Sequence, residues 1–151
     1  MQVDVFSQIR IMRPRSVVAA FAIDPDKVPL WYENIKSVAW RTPPPLRVGS
    51  QIDFIAKFLG RRLAYTYEVV TLVPDELFVM QTSQGPFPME TSYKWQSATD
   101  VSTLMTLRNR GTPTGFGRLV APFLSFAMRR ATGKDLARLK NILESGAGPK
   151  A

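Results

Sequence analysis

The last third of the chain holds one long, cationic, amphipathic segment that follows a series of strand-like segments. Strand patterns fill most of residues 51–110, a Gly/Pro/Thr break follows, and helical periodicity then runs from roughly Phe116 to Glu144. A meander of strands and one long helix bury their apolar faces most economically when the sheet wraps around the helix. The sequence therefore predicts an α+β domain, in which an apolar cavity can remain between the sheet and the C-terminal helix.

The C-terminal segment divides into an apolar stripe and a basic side. The predicted stripe consists of Leu124, Ala127, Met128, Ala131, Leu136, Leu139 and Leu143. The basic residues that lie largely off it are Arg129, Arg130, Lys134, Arg138 and Lys140. Pro122 removes an internal hydrogen bond, so we expect either a kink there or a helix that begins near Ala121.

The N-terminal third predicts one strand and two short helices. Residues 2–12 alternate, with Val3, Val5, Ser7, Ile9 and Ile11 on one side, as in a half-buried strand. A short helix is predicted from Ser16 to Ile23 and a second from Pro25 to Asn34. The apolar members of the second are Val28, Leu30, Trp31 and Ile35.

Regularly spaced turns separate the remaining strand-like segments, which is typical of antiparallel hairpins. The predicted strands cover residues 37–41, 52–58, 63–69, 77–83, 89–97 and 101–110. Alternation assigns an inward face to most of them. The apolar run Leu77–Ser83 does not show which of its faces is inward.

Length and composition fit one domain with a hydrophobic core. The chain has 151 residues, of which 45% are hydrophobic, and we expect one domain over residues 1–145 with a flexible tail over 146–151. The N-terminus lacks the pattern of a signal peptide, and no apolar run approaches the length of a membrane span. We therefore expect a soluble, cytoplasmic protein.

The absence of histidine and cysteine excludes several classes of chemistry. Without histidine there is no Ser-His-Asp catalysis, no histidine-based zinc site and no non-haem iron triad. Without cysteine there is no thiol catalysis and no thiolate metal site. We expect no metal and no cofactor.

The charge is strongly positive, with a net value of +8. Residues 108–140 contain one acidic residue, Asp135, and eight basic residues. The basic residues are Arg108, Arg110, Arg118, Arg129, Arg130, Lys134, Arg138 and Lys140. This pattern fits either a solvated helix face or a weak contact with an anionic membrane. We do not expect nucleic-acid binding, because the aromatic residues lie on apolar faces instead of among the cations.

Several short motifs occur in a characteristic order over about residues 2–145. They are Ile11-Met-Arg-Pro-Arg-Ser-Val-Val-Ala-Ala-Phe, Asp24-Pro25, Val28-Pro29-Leu30-Trp31, Leu46-Arg-Val-Gly-Ser, Tyr67-Glu-Val-Val, Gly115-Phe-Gly-Arg-Leu and Asp135-Leu-Ala-Arg-Leu-Lys-Asn-Ile-Leu-Glu144. In this order the chain resembles the START/polyketide-cyclase (SRPBCC) superfamily, in its polyketide cyclase/dehydrase-like branch. The resemblance implies a helix-grip fold: a seven-stranded antiparallel sheet, a long C-terminal helix across its concave face, and a hydrophobic cavity between them.

Strand and helix periodicity selects the residues that face this cavity. They are Trp31, Phe54, Phe58, Tyr65, Tyr67, Tyr93, Trp95, Met105, Leu124 and Met128. Aromatic and methionine side chains suit an apolar or aromatic ligand, because they supply contact area and adapt in shape. The alternative for each residue is ordinary core packing.

The leading hypothesis is a non-catalytic domain that binds a hydrophobic or amphipathic small molecule, such as a lipid, a polyketide or an aromatic metabolite. The carboxylates Asp53, Glu68 and Glu90 fall on the outward face, so a pair of acid/base carboxylates in the cavity is not expected. Alternatives are a cyclase or dehydratase that works without a metal, with Tyr65 and Tyr67 as candidate catalytic groups, and a peripheral membrane or lipid-transfer protein. The sequence does not define an oligomeric state.

Overall fold

The computed structural model describes residues 3–58, 60–85, 88–112 and 121–145. In chain order the elements are β1 (Val3–Ile11), α1 (Arg15–Ile23), a 3-10 turn (Pro25–Lys27), α2 (Val28–Trp31), β2 (Ile35–Trp40), β3 (Gln51–Phe58), β4 (Arg61–Val73), β5 (Leu77–Gln84), β6 (Met89–Thr99), β7 (Ser102–Gly111) and α3 (Ala121–Glu144).

The described strands form one antiparallel sheet of seven strands in the order β1-β7-β6-β5-β4-β3-β2. Each strand from β2 to β6 pairs with the next strand in the sequence, and β1 pairs with β7. The two edges of the sheet are therefore β1 and β2. Bulges interrupt the β4–β5 and β6–β7 ladders, and bulges bend a sheet and increase its twist. The predicted α+β architecture, with its seven-stranded sheet, two short helices after the first strand and long C-terminal helix, is confirmed.

The predicted alternation of the first strand is also confirmed. Val3, Val5 and Ile11 are buried and Asp4 is exposed. The structure also resolves the face of β5 that the sequence left open: Phe78 pairs with Tyr93, and both are buried on the inner face.

The second short helix ends earlier than predicted. α2 stops at Trp31 instead of Asn34, and the chain enters β2 at Ile35. The backbone after Trp31 instead forms a hydrogen bond to another element, in which Glu33 N–H donates to the Asp135 carboxylate of α3 at 3.2 Å. Of its predicted apolar members, Val28 and Trp31 are buried, whereas Leu30 is 58% exposed.

The two halves of α3 pack differently. Leu136, Leu139 and Leu143 in the second half belong to the main core cluster. Leu124 and Met128 in the first half pack instead against a small separate cluster of Val3 and Val5. The helix is described from Ala121, and the predicted helical residues 116–120 lie outside the described residues, as does the predicted tail over 146–151.

The second half of α3 is tied to the turn between β1 and α1. Arg13 Nε donates to the Leu143 carbonyl at 2.7 Å, and Met12 N–H donates to the Glu144 carboxylate at 2.7 Å. Lys140 Nζ donates to the Arg10 carbonyl at 2.8 Å. These bonds satisfy carbonyls and charges at the helix end and hold it across the sheet.

Candidate functional site

The structure assigns the predicted cavity residues to three different surroundings. The main core cluster contains Trp31, Phe54, Tyr67, Tyr93, Trp95 and Met105. Tyr65 packs against its edge, while Leu124 and Met128 pack against the cluster of Val3 and Val5. Phe58 is half-buried at the end of β3 and belongs to neither cluster of described residues. That these side chains contact a ligand stays a prediction.

The interior beneath the short helices is closely packed around Tyr93. Its ring centroid lies 5.8 Å from that of Trp31, 5.7 Å from Phe78 and 6.0 Å from Trp95. A cavity of about 10 Å³ remains beside Ile52, Met80 and Tyr93, which is about the volume that one water molecule needs. In this part of the described structure, core packing accounts for the aromatic residues.

Two tyrosine hydroxyls meet inside this packed region. The Tyr32 and Tyr93 oxygens are 2.9 Å apart. Burial raises the pKa of both phenols, so both are neutral at physiological pH. The sequence did not single out Tyr32, because it lay within a helix predicted to continue to Asn34.

A buried carboxylate joins α3 to the end of α2. Asp135 is 3% exposed, accepts a hydrogen bond from Glu33 N–H at 3.2 Å, and lies 3.9 Å from Arg138 Nη1. Desolvation raises the pKa of Asp135 to about 6, although the Glu33 N–H and Arg138 partly oppose the rise. The helical period could have revealed this residue, since Asp135 lies seven residues after Met128 and four before Leu139, both members of the predicted stripe.

A row of polar side chains crosses the concave face between the two apolar clusters. Thr91 Oγ1 donates to Asn109 Oδ1 at 2.7 Å, and both residues are buried. Burial raises the pKa of Tyr67, and a hydrogen bond with Thr91 offsets part of that rise. On β1, which pairs with the strand of Asn109, the Ser7 hydroxyl lies 3.0 Å from that of Thr132 on α3. The Tyr67, Thr91 and Asn109 side chains are called the polar row below.

The strand register explains how the polar row forms. Thr91 pairs with Asn109 across β6 and β7, and Asn109 pairs with Val5 of β1. Val5 in turn packs against Leu124 and Met128 of α3. Sequence reasoning missed Thr91 and Asn109 because they are polar, although they share inward faces with Trp95 and Leu107.

The concave face opens beyond the polar row, where inward-facing side chains become half-buried. They are Tyr65 on β4, Thr82 on β5 and Met89 on β6. The rings of Tyr65 and Tyr67 are 5.9 Å apart, and Thr82 Oγ1 accepts from Met89 N–H at 2.9 Å. A surface groove of about 310 Å³ lies at these strand ends, where it is lined by Thr82, Met89 and Gly111 and also by the outer-face residues Gln81, Glu90 and Arg110.

The strand carboxylates lie on the outer face with basic or amide partners. Asp53 accepts from Arg41 at 2.8 Å, Glu68 accepts from Gln51 at 3.2 Å, and Glu90 pairs with Arg110. The guanidinium of Arg110 holds the pKa of Glu90 below its usual range. The predicted outward orientation of these carboxylates is confirmed, and they supply no acid/base pair to the concave face.

Two buried indole groups lack a hydrogen-bond acceptor. Trp31 Nε1 and Trp95 Nε1 have no partner among the described residues. An unsatisfied buried donor costs about 1–3 kcal/mol, so an oxygen acceptor near either indole would stabilise the folded state. The two side chains flank the same tyrosine, Tyr93.

The described residues contain no group of three acidic side chains close enough together to hold a metal ion. None of the described helices is both long enough and apolar enough to cross a membrane.

One protein family matches nearly the whole length of the chain. Residues 2–144 match the family described as polyketide cyclase/dehydrase and lipid transport. The chain therefore belongs to that family, and the suspected START/polyketide-cyclase assignment is confirmed. No functionally curated protein matches the sequence.

Solved structures share the fold over nearly the whole chain. A protein from Thermus thermophilus superposes with a TM-score of 0.83 and 15% identity, covering 96% of this chain and 99% of that one. The Zhui aromatase/cyclase of a Streptomyces species superposes with a TM-score of 0.79 and 11% identity, covering 99% of this chain and 100% of that one. A START superfamily protein from Mycobacterium smegmatis superposes with a TM-score of 0.69 and 16% identity, covering 95% of each chain. At these identities the similarity shows the helix-grip fold alone.

Family membership supports a role in hydrophobic-ligand binding or in polyketide cyclisation. The choice between them depends on the side chains of the concave face.

Proposed function

We propose that the protein binds a hydrophobic small molecule that carries at least one polar oxygen, on the concave face between the polar row and the first half of α3. The observation that supports this most directly is the position of the polar row on the concave face, between the main core and the apolar cluster of Val3 and Val5. Apolar side chains on both sides would hold the ligand skeleton, and the row would orient its oxygen.

The polar row has hydrogen-bonding capacity to spare. Asn109 uses its Oδ1 to accept from Thr91, while no described residue accepts a hydrogen bond from its Nδ2. A side-chain amide carries two donors, so Asn109 can offer a ligand carbonyl or hydroxyl at least one N–H. The phenol of Tyr67, kept neutral by its raised pKa, adds a hydroxyl oxygen that can accept a hydrogen bond from a ligand hydroxyl.

The chemistry of the row favours binding over proton transfer. A general acid or base works best with a pKa near the working pH, and burial moves the pKa of Tyr67 away from that range. Asp135, with a pKa near 6, already accepts from Glu33 N–H in the packed region. The concave face thus supplies donors that orient a ligand, without a paired acid and base.

A pair of matched probes tests the proposal. 1-Naphthol and 1-methylnaphthalene have similar shapes but differ in a hydroxyl, so the difference in their affinities reports the polar contact. We expect wild-type protein to bind 1-naphthol more tightly, and Tyr67→Phe to weaken that binding about fivefold to tenfold while leaving 1-methylnaphthalene within about twofold. Affinities are measured by titration calorimetry or by probe fluorescence.

The control variant is Tyr93→Phe, which removes a buried hydroxyl bonded to Tyr32 in the packed region. It should leave the difference between the two probes unchanged. Failure of wild-type protein to bind either probe, or equal effects of Tyr67→Phe and Tyr93→Phe, would contradict a ligand site at the polar row.

A second candidate is a cyclase or dehydratase, favoured by the neighbouring phenol rings of Tyr65 and Tyr67, which are 5.9 Å apart. In this function the shaped face would hold a poly-β-ketone chain in a reactive conformation, and the donors would polarise its carbonyls. Turnover of a cyclising poly-β-ketone above the rate without protein would support it. Binding of that compound without turnover would leave the binding function.

A further inference from the structure

We propose that the exposed face of the first half of α3 binds anionic membrane surfaces. This face, called the α3 outer face below, consists of Phe123, Phe126, Arg129, Arg130 and Lys134. The occupant is the surface of a bilayer that contains anionic lipids, and the contact is peripheral.

The helical period places these residues together. On a helix of about 3.6 residues per turn, Phe123, Phe126, Arg130 and Lys134 project from one side. Phe123 and Phe126 are 60% and 61% exposed, whereas Leu124 and Met128 are partly buried against Val3 and Val5. The first half of α3 therefore shows apolar side chains on both its inner and its outer face.

Two exposed phenylalanines one turn apart need an explanation, because folding buries neither of them. Large apolar side chains that lie together on a surface commonly mark an interaction site. Here they precede the cations along the helix, so the face has an aromatic end and a basic end. Amphipathic helices that lie in the membrane interface combine the same groups, with aromatic side chains in the acyl boundary and Lys or Arg among the headgroups.

The charge of this half of α3 is unbalanced. Residues 121–134 contain Arg129, Arg130 and Lys134 and no acidic residue. Among the residues that the structure describes, none forms an ion pair with these three side chains. In the second half, by contrast, Arg138 pairs with Glu33, and Lys140 pairs with Glu144 at 2.6 Å.

Charge complementarity therefore selects an anionic partner, and the exposed phenylalanines favour a lipid surface over a purely ionic one. Each basic residue near an anionic leaflet strengthens the attraction, and the attraction weakens with salt because the charges are exposed. The outer face extends about 16 Å along the helix axis from Phe123 to Lys134, at about 1.5 Å per residue, and is free of acidic side chains.

Vesicle co-sedimentation of the full chain tests this proposal. We expect binding to phosphatidylcholine vesicles that contain about one quarter phosphatidylglycerol, and at least tenfold weaker binding to phosphatidylcholine alone. Raising the salt from about 0.1 M to about 0.5 M should release most of the bound protein.

Variants of the two ends of the face separate its contributions. Phe123→Ser with Phe126→Ser should weaken vesicle binding at least fivefold while leaving its salt dependence in place. Arg129→Gln with Arg130→Gln should weaken it at least tenfold and flatten the salt dependence. Both doubles change exposed residues, so circular dichroism and the unfolding midpoint should match wild type.

Matched controls lie elsewhere on the surface. Phe6, on the outer face of β1, is 60% exposed, and Arg61 and Arg62 form an exposed basic pair at the start of β4. Phe6→Ser and the double variant Arg61→Gln with Arg62→Gln should bind vesicles like wild type.

Three results would overturn the proposal: no binding to anionic vesicles, equal binding to neutral and anionic vesicles, or equal losses in the controls and in the α3 variants. The first result would direct the search for a partner to acidic proteins. The naphthol titration uses no vesicles, so failure of membrane binding and failure of the proposed ligand site are distinguishable.

Discussion

At the scale of single residues, Asp135 is the most unusual group in the described interior. It lies on the inner side of α3, 3% exposed, and accepts a backbone hydrogen bond from Glu33. One backbone N–H and Arg138 at 3.9 Å do not fully replace the water lost on burial, so its pKa rises to about 6.

This shift predicts how Asp135 affects stability as the pH changes. Because the folded-state pKa lies above the unfolded value of 3.8, the folded protein binds more protons between pH 4 and 6, and this group's contribution to stability falls as the pH rises through that window. Asp135→Asn should remove this loss. The free energy of unfolding of the variant minus that of wild type should therefore increase by about 2 kcal/mol as the pH rises from 4 to 7.

Urea unfolding at several pH values measures this difference. The lowered pKa values of Asp4, Glu90 and Glu144 affect both proteins alike and so cancel. A difference that is flat from pH 4 to 7 would show that Asp135 titrates normally.

Gly85 and Tyr65 form a second residue-scale pair. A Cβ on residue 85 would lie 2.5 Å from Tyr65 Cδ1, closer than packed carbon atoms can approach. Gly85→Ala should therefore lower the free energy of unfolding by about 1–3 kcal/mol, since the Tyr65 ring must move. In Tyr65→Ala the same substitution should cost much less, and a double-mutant cycle by urea unfolding measures that coupling. Additive effects would show that the ring is not the obstacle.

At the scale of elements, α3 consists of two differently packed halves that meet near Gly133. The second half is held by Arg13, Lys140 and the main core, whereas the first half contacts the small cluster of Val3 and Val5 and, through Thr132, the hydroxyl of Ser7. The polar row lies next to the less firmly packed half.

Gly133 offers a direct test of helix propensity at this junction. A Cβ there meets nothing within 4 Å, so Gly133→Ala should raise the free energy of unfolding by about 0.5–1 kcal/mol. The matched control is Gly49→Ala, where space is equally open but φ is +94°, so the change should destabilise by about 1 kcal/mol. Thermal unfolding compares the two, and a loss of stability in Gly133→Ala would indicate a non-helical requirement at this position.

At the scale of the whole molecule, one curved sheet separates three environments. Its outer face carries ion pairs such as Arg108 with Asp4, its inner face holds the packed aromatic core, and its open end carries the polar row and the groove beside Met89. Exposed ion pairs contribute little to stability, so the fold depends mainly on the inner face. Ligand binding and membrane contact would both act at the end of the molecule where the first half of α3 lies.

The sequence by itself determined the elements and most of their inward faces. Alternation along β1 and the three-and-four spacing of Leu136, Leu139 and Leu143 are local patterns, and the structure follows them. The sequence did not determine the size of the predicted cavity, because periodicity shows which side of an element is apolar but not how tightly the opposing sides pack. Around Tyr93 that packing leaves room for about one water molecule.

Only the tertiary structure decided which partners the inward-facing polar groups find. Thr91 and Asn109 are 18 residues apart, and Asp135 and Glu33 are 102 apart, so no local pattern brings their atoms together. The inward face of β5 was likewise decided by its register with β6, because both sides of that strand are apolar. Burying a polar group costs free energy unless a partner satisfies it, and the fold, not the neighbouring sequence, supplies that partner.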